Sequence, residues 1–168
     1  FLMDRHPVTN RMYKAFVDAG GYSNQEYWPP LFTIGEGELS RQEAMARFVD
    51  TLGQQGPASW EMGEYPHGED DLPVTGVCWF EAAAYAMWAG KQLPTIFHWN
   101  RVAFTVASSQ IIPFANFSGK GPVTAGTTQS VNRFGVHDLA GNVREWAWNE
   151  CNRRGERFIL GGGYNDPE

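Results

Sequence analysis

Asp138, Gly141, Val143 and Glu145 fall within eight residues of one another, inside the run FGVHDLAGNVREW from Phe134 to Trp146. Two carboxylate side chains and two main-chain carbonyls at this spacing suit one hard cation, because Ca²⁺ takes roughly six to eight ligands and prefers oxygen throughout. The same residues also suit a tight turn that needs Gly141, with Asp138 and Glu145 left to solvent. The spacing is not that of an EF-hand loop, so spacing alone leaves both readings open.

Other chemistry is less well supported. His6, His67, His98 and His137 are scattered singly, and no H-x-x-x-H or C-x-x-C pattern sets two ligands of a zinc or iron site on one face. His137 is placed to orient the turn beside Asp138 or to pack as an ordinary histidine. No G-x-S-x-G, P-loop or G-x-G-x-x-G leading into a helix occurs, which argues against hydrolase, nucleotide triphosphatase and dinucleotide-binding activities. The acidic pairs Asp70-Asp71 and Asp166 with Glu168 read as solvated loop charge. Cys78, at a helix start, and Cys151, in a polar loop, read as reduced structural thiols. Asn116-Phe117-Ser118 is a glycosylation sequon that matters only in a secreted chain.

The elements that must position these groups are short. Residues 1–8 read as a strand leading to Thr9, an N-cap for a helix that buries Tyr13, Phe16 and Val17 and ends at Gly20-Gly21. Trp28 to Pro30 is a loop. Ser40 and Glu43 form a capping box for a second helix carrying Ala44, Phe48 and Leu52 inward until Gly53 closes it. Gly53 to Asp71 is a long surface loop in which Trp60 and Tyr65 anchor onto the core. A third helix spans Val77 to Ala89 and stops at Gly90. Thr95 caps a fourth through about Ala107, whose first turn has Ile96, Phe97 and His98 where acidic residues would suit the dipole, so its start is weak or covered by something apolar. Arg144, between two candidate ligands, can pair with Asp138 or Glu145 or face solvent, and alternation with main-chain ligands favours solvent. Phe158 to Leu160 is a β-prone run ending in three glycines.

A chain of 168 residues with 42% apolar side chains can bury one sizeable core. Its 7 Trp, 11 Phe and 6 Tyr beside 19 Gly and 10 Pro point to aromatic clusters that hold many loops. With 13 basic against 19 acidic residues the net charge is −6, so nucleic acid and anionic lipid are not expected partners. No run approaches the ~18 apolar residues of a membrane span.

Four ordered motifs carry a resemblance. HPVTNRMYKAFVDAGGY (His6 to Tyr22), LPVTGVCWFEAAAYAMWAGKQLPT (Leu72 to Thr95), GVHDLAGNVREW and RFILGGGY (Arg157 to Tyr164) are similar to successive signatures of the sulfatase-modifying-factor family, the domain of formylglycine-generating enzymes. The resemblance implies an α+β fold, a variant of the C-type-lectin-like fold that is loop-rich with short helices and small antiparallel sheets. It also implies Ca²⁺ at the turn, held by Asp138, Gly141, Val143 and Glu145. A second family Ca²⁺ site would start at Asn116-Phe117, but no matching distal Asp precedes Phe134. Against the family pattern the chain is expected to be one domain, 1–168, incomplete at both ends.

The departure lies at the C-terminal end. The enzymes of the family bind Cu(I) through two cysteines after a Gly-Gly-Ser-aromatic strand. On that pattern Gly163 takes the Ser position and Asp166 that of the first Cys, while the second falls beyond Glu168. Cu(I) is soft and a carboxylate is a poor substitute for thiolate. The expectation is therefore a non-copper, non-catalytic module of a larger protein, with other domains of the same polypeptide, a small ligand or a peptide as partner. The alternative is an oxidoreductase of the family acting on a protein cysteine or a small substrate.

Overall fold

The structure, a computed structural model, describes residues 1–104, 111–117 and 119–167. The end of the expected fourth helix, Ser118 of the sequon and Glu168 lie outside them. Among the described residues the architecture is α+β, with four short α-helices and two two-stranded antiparallel sheets set among long loops. The helices are α1 (Asn10–Asp18), α2 (Arg41–Met45), α3 (Trp79–Trp88) and α4 (Ile96–Ala103). The sheets pair β1 (Phe32–Ile34) with β2 (Gly37–Leu39), and β3 (Glu145–Glu150) with β4 (Arg157–Leu160). No helix among these residues is long and apolar enough to cross a membrane.

Helix starts follow local chemistry. The Thr9 hydroxyl accepts from the Met12 amide, and Ser40 and Glu43 complete a reciprocal capping box. The second helix is shorter than its pattern suggests. It ends at Met45, Phe48 reaches the core from the following turn, and Leu52 is exposed. Residues 1–8 do not form a strand: they cross the molecule as an irregular strap, tied by one bridge between Thr9 and Pro73 and by the Val74 amide donating to the Val8 carbonyl at 2.9 Å. A strand needs a continuous partner, and residues 73–77 supply only these contacts. The start of α4 is also better satisfied than expected. His98 Nδ1 lies 2.9 Å from the Thr95 hydroxyl, the Asn149 side chain accepts from the Ile96 amide at 2.9 Å, and the Phe1 ring packs on His98.

The main core is aromatic. Tyr13, Phe16, Trp28, Phe32, Phe48, Trp60 and Phe80 are buried together, with Tyr85 stacked on Tyr13 and Trp28 on Phe48. Each indole N–H that enters must find an acceptor. Trp60 donates to the Asn10 side chain at 3.1 Å and Trp28 to the Gly21 carbonyl at 2.9 Å. Trp79 and Trp146 reach the Ala147 and Val77 carbonyls, stapling α3 to β3. Trp60 thus anchors the 53–71 loop, and Tyr65 packs edge-on against it. A second, smaller core of Trp99, Val102, Val136 and Leu139, with Met3 and Leu160 against it, underlies the Asp138–Glu145 turn.

Candidate functional site

The turn is built from backbone conformations that few residues tolerate. Asp138, Gly141 and Asn142 all have positive φ, at 58°, 74° and 62°. Gly141 has no substitute, because a Cβ there would lie 2.7 Å from the Asn116 carbonyl oxygen. Asn142, which is fully buried, is the hub. Its side-chain oxygen accepts from the Val123 amide and from the Asn116 side chain, its side-chain nitrogen donates to the Val123 carbonyl, and its own amide and carbonyl bind Asn116 and Tyr164. Asn116 spends its side-chain amide on Gly121 and Asn142, so the sequon asparagine is an internal brace.

Asp138 is buried, and its carboxylate is cradled from one segment. Oδ2 accepts from the Gly126 amide at 2.7 Å and Oδ1 from the Thr128 hydroxyl at 2.5 Å. Glu145, at the start of β3, accepts from the Trp99 indole through Oε2 at 2.7 Å. Burial pushes the Glu145 carboxyl up to about 7; the Trp99 N–H opposes that shift and the Asp138 charge adds to it. The structure therefore brings the two side chains among the four expected ligands into one electrostatic neighbourhood. The other two are main-chain carbonyls: among the described residues the backbone bonds fastening the turn use the Gly141 and Asn142 amides and the Asn142 carbonyl, and none of them ends on the carbonyls of Gly141 or Val143.

No lysine, arginine or histidine among the described residues forms an ion pair with Asp138 or Glu145. Two neighbouring carboxylates, one of them desolvated, thus lack a protein counter-charge, and an oxygen-seeking cation fits this donor set. A cluster of three or more His, Cys, Asp and Glu does not occur among the described residues.

Arg144 faces away from both acids, but it is not simply solvated. Nε donates to Asp166 Oδ2 at 3.0 Å, Nη2 donates to Oδ1, and the Gly163 amide donates to Oδ2 at 2.8 Å. Arg144, and secondarily the Gly163 amide, hold the Asp166 carboxyl below the ordinary carboxylate range. Sequence reasoning had no signal for this pair, whose members are 22 residues apart. It also missed Trp99, Thr128 and Asn142, whose roles depend on contacts between distant segments. Two of the scattered histidines meet: the His6 and His137 rings lie 4.8 Å apart, and His137 Nδ1 is buried without a hydrogen-bond partner among the described residues.

A cleft of about 690 Å³ runs beside the turn, between the 1–8 strap, residues 90–95 and the start of β3. Val143, Arg144, Glu145, Trp146 and Trp148 line one wall, His6, His98 and His137 others. A smaller cavity of about 220 Å³, reaching Gly163 and Tyr164, shares Val74, Val77, Val143, Arg144 and Trp146 with it. Both cysteines are free thiols. Burial first, and then the Glu81 charge, push the Cys78 thiol far above its usual range, which leaves it a poor nucleophile.

Comparison with known proteins supplies the relatives. Residues 1–110 match the sulfatase-modifying factor enzyme 1-like domain. The chain is 29% identical over 154 residues to serine/threonine-protein kinase pkn1 of Chlamydia caviae, which covers 87% of this chain and 22% of the kinase. It is 32% identical over 168 aligned positions to hercynine oxygenase of Mycolicibacterium smegmatis, covering 87% of this chain and 36% of that protein. It is 29% identical to inactive C-alpha-formylglycine-generating enzyme 2 of Mus musculus, again over 87% of this chain and 57% of the relative. The chain thus spans less than two thirds of the length of each. The family match stops short of the Asp138–Glu145 turn, but it takes in the first two of the four motifs and well over half of the sequence. This chain belongs to the family of sulfatase-modifying factor enzyme 1-like domains.

Proposed function

We propose that this domain is a non-copper, non-catalytic module of a larger protein, on a C-type-lectin-like scaffold fastened by Ca²⁺, that binds a small ligand or peptide or docks a neighbouring domain. The observation that carries this reading is Asp166. At the position that the resemblance assigns to the family's first copper thiol, a carboxylate is clamped by two N–H groups of the Arg144 guanidinium and by the Gly163 amide. A soft ion gains little from such a group. The cleft gives the module its ligand site, since its size falls within the range of small-molecule pockets and its lining mixes apolar side chains with a few polar ones. Relatives in which a similar segment forms part of a kinase support a place beside other domains.

Ca²⁺ would be held by the Asp138 and Glu145 carboxylates and the Gly141 and Val143 carbonyls. Its role there is to neutralise the two acids and fix the turn. Chelation then lowers the thermal midpoint, because a cation bound only by the folded state stabilises by mass action. Asp138→Ala abolishes that response. A midpoint that ignores both the chelator and the substitution removes the ion from the reading.

Loss of catalysis is tested by incubating the full-length polypeptide with copper and a cysteine-containing sulfatase peptide. No aldehyde is expected, and an aldehyde product would refute the module reading. The second reading, an oxidoreductase on a protein cysteine or a small substrate, is favoured by the similarity to hercynine oxygenase and to a formylglycine-generating enzyme of Thermomonospora curvata. Oxygen consumption above that of the same copper and peptide without the protein, with or without aldehyde, would decide for it.

A further inference from the structure

Two buried polar atoms at the turn, His137 Nδ1 and the Ser130 hydroxyl, have no hydrogen-bond partner among the described residues, and the second stands against Asp138. Ser130 is 1% exposed, and its hydroxyl is buried with no hydrogen-bond partner among the described residues. A buried hydroxyl without a partner is rare and calls for an explanation, a missing water or ion among them. Its position is specific. Val131 bridges His137 in antiparallel register, and the Asp138 amide donates to the Ser130 carbonyl at 3.0 Å, so Ser130 stands directly opposite Asp138. The backbone thus sets the two residues side by side, Asp138 leaving the pairing at a φ of 58°.

A second network leads to the same place. The Thr128 hydroxyl donates to Asp138 Oδ1 while accepting from the Ser130 amide at 3.2 Å, and the Gly126 amide holds Oδ2. Gly126 can come this close only as glycine: its φ is 75°, and a Cβ there would lie 2.3 Å from His6 Nδ1. Residues 126–130 therefore wrap the Asp138 carboxylate, and within that segment the Ser130 oxygen is the buried side-chain atom without a hydrogen-bond partner among the described residues.

We infer that Ser130 is a further member of the cation site, its hydroxyl oxygen belonging to the ligand and water shell of the ion that Asp138 and Glu145 hold. This rests on the calcium reading above. Four protein donors leave a Ca²⁺ shell short of its usual number, and a hydroxyl oxygen is a suitable neutral addition beside two carboxylates. Groups that support a ligand set in this way typically change metal affinity by about tenfold or more when removed.

The experiment is a calcium titration by calorimetry on the wild type and on Ser130→Ala, paired with thermal melts of both in chelator. The expected result is calcium binding about tenfold weaker in Ser130→Ala, with a metal-free midpoint equal to or slightly above that of the wild type, because the lost hydroxyl has no partner in the metal-free fold. Equal affinities in the two proteins overturn the inference while leaving the calcium reading intact. A lowered midpoint in chelator with unchanged affinity assigns Ser130 a structural role and likewise overturns it. A wild type that takes up no calcium sinks the calcium reading and this inference with it.

Discussion

Glu145→Gln should reverse its effect on stability according to whether calcium is present. Without the ion, burial and the Asp138 charge hold the Glu145 carboxyl at about 7 against an ordinary 4.5. A carboxyl raised in the folded state binds its proton more tightly there than in the unfolded chain. The stability it contributes is complete below about pH 4.5 and is lost as pH rises through 7. At ~1.36 kcal/mol per pH unit, ionising Glu145 in the metal-free fold costs about 3 kcal/mol by pH 8. Glutamine carries no charge and its oxygen can still accept from the Trp99 indole, but its amide hydrogens need an acceptor, which offsets about 1 kcal/mol. The net gain of about 2 kcal/mol corresponds to a rise of roughly 4–8 °C in the midpoint for a chain of this size.

The assay is a thermal melt of both proteins in chelator and in excess calcium, at pH 4.5 and pH 8. In chelator at pH 8 Glu145→Gln should melt higher, and at pH 4.5, where the wild-type carboxyl is protonated, that advantage should be gone and the unpaired amide hydrogens should leave the variant slightly lower, by up to about 1 kcal/mol. In calcium at about a hundred times Kd, the wild type should gain about 2.7 kcal/mol and overtake a variant that gains little. A variant less stable than the wild type in chelator at both pH values would show that Glu145 carries no electrostatic strain. A variant that keeps the full calcium response would show that its carboxylate is not a ligand.

Three further substitutions probe the turn, the main core and the 53–71 loop. Gly141→Ala sets a Cβ within 3.1 Å of three backbone atoms of Asn116 at a φ of 74°, and should cost about 2–4 kcal/mol in urea unfolding; a loss under 1 kcal/mol would mean the Asn116 contact yields easily. Tyr22→Phe removes the hydroxyl that donates to buried Glu81 at 2.6 Å, with an expected cost of about 1–3 kcal/mol. Because burial already raises the Glu81 carboxyl and Tyr22 favours its charged form, that cost should be smaller at pH 4 than at pH 8, and a pH-independent cost would contradict the assignment. Met62 is exposed at a φ of 54°, so Met62→Asn should stabilise by roughly 0.5–1 kcal/mol, and a destabilised variant would show that the Met62 side chain makes contacts that matter.

What the sequence made legible is what neighbouring residues decide among themselves. Thr9, Ser40 with Glu43, and Thr95 cap helices because a hydroxyl two or three residues before a free amide needs no distant partner. Trp60 could be placed inward because a large ring in a polar loop has little else to stabilise it. The strap at 1–8 was misread because an extended run becomes a strand only where a partner runs beside it, and that partner lies about 65 residues away at Pro73. The β1–β2 hairpin gave little signal, being three residues a side around Gly35. In the site, spacing identified Asp138, Gly141, Val143 and Glu145 as a group. Their support comes from the 126–130 segment, from Asn116 and from Trp99, which is 46 residues from Glu145, and no periodicity connects these.

Arg144 links the two halves of the functional reading. It sits between two candidate ligands, and a guanidinium turned toward Asp138 and Glu145 would supply the positive charge that the acids lack and leave no role for a metal. It is instead drawn outward by a bidentate contact with Asp166, a geometry in which arginine gains more from a carboxylate than a point charge would. If the resemblance places Asp166 at the family's first thiol, as proposed, one carboxylate has two effects: it takes the place of a soft-metal ligand, and by engaging Arg144 it leaves Asp138 and Glu145 without a counter-charge among the described residues. On this reading the copper-free end of the chain and the calcium-dependent turn are parts of one electrostatic arrangement, with Arg144 as the residue that decides between protein and ion as the partner of Asp138 and Glu145.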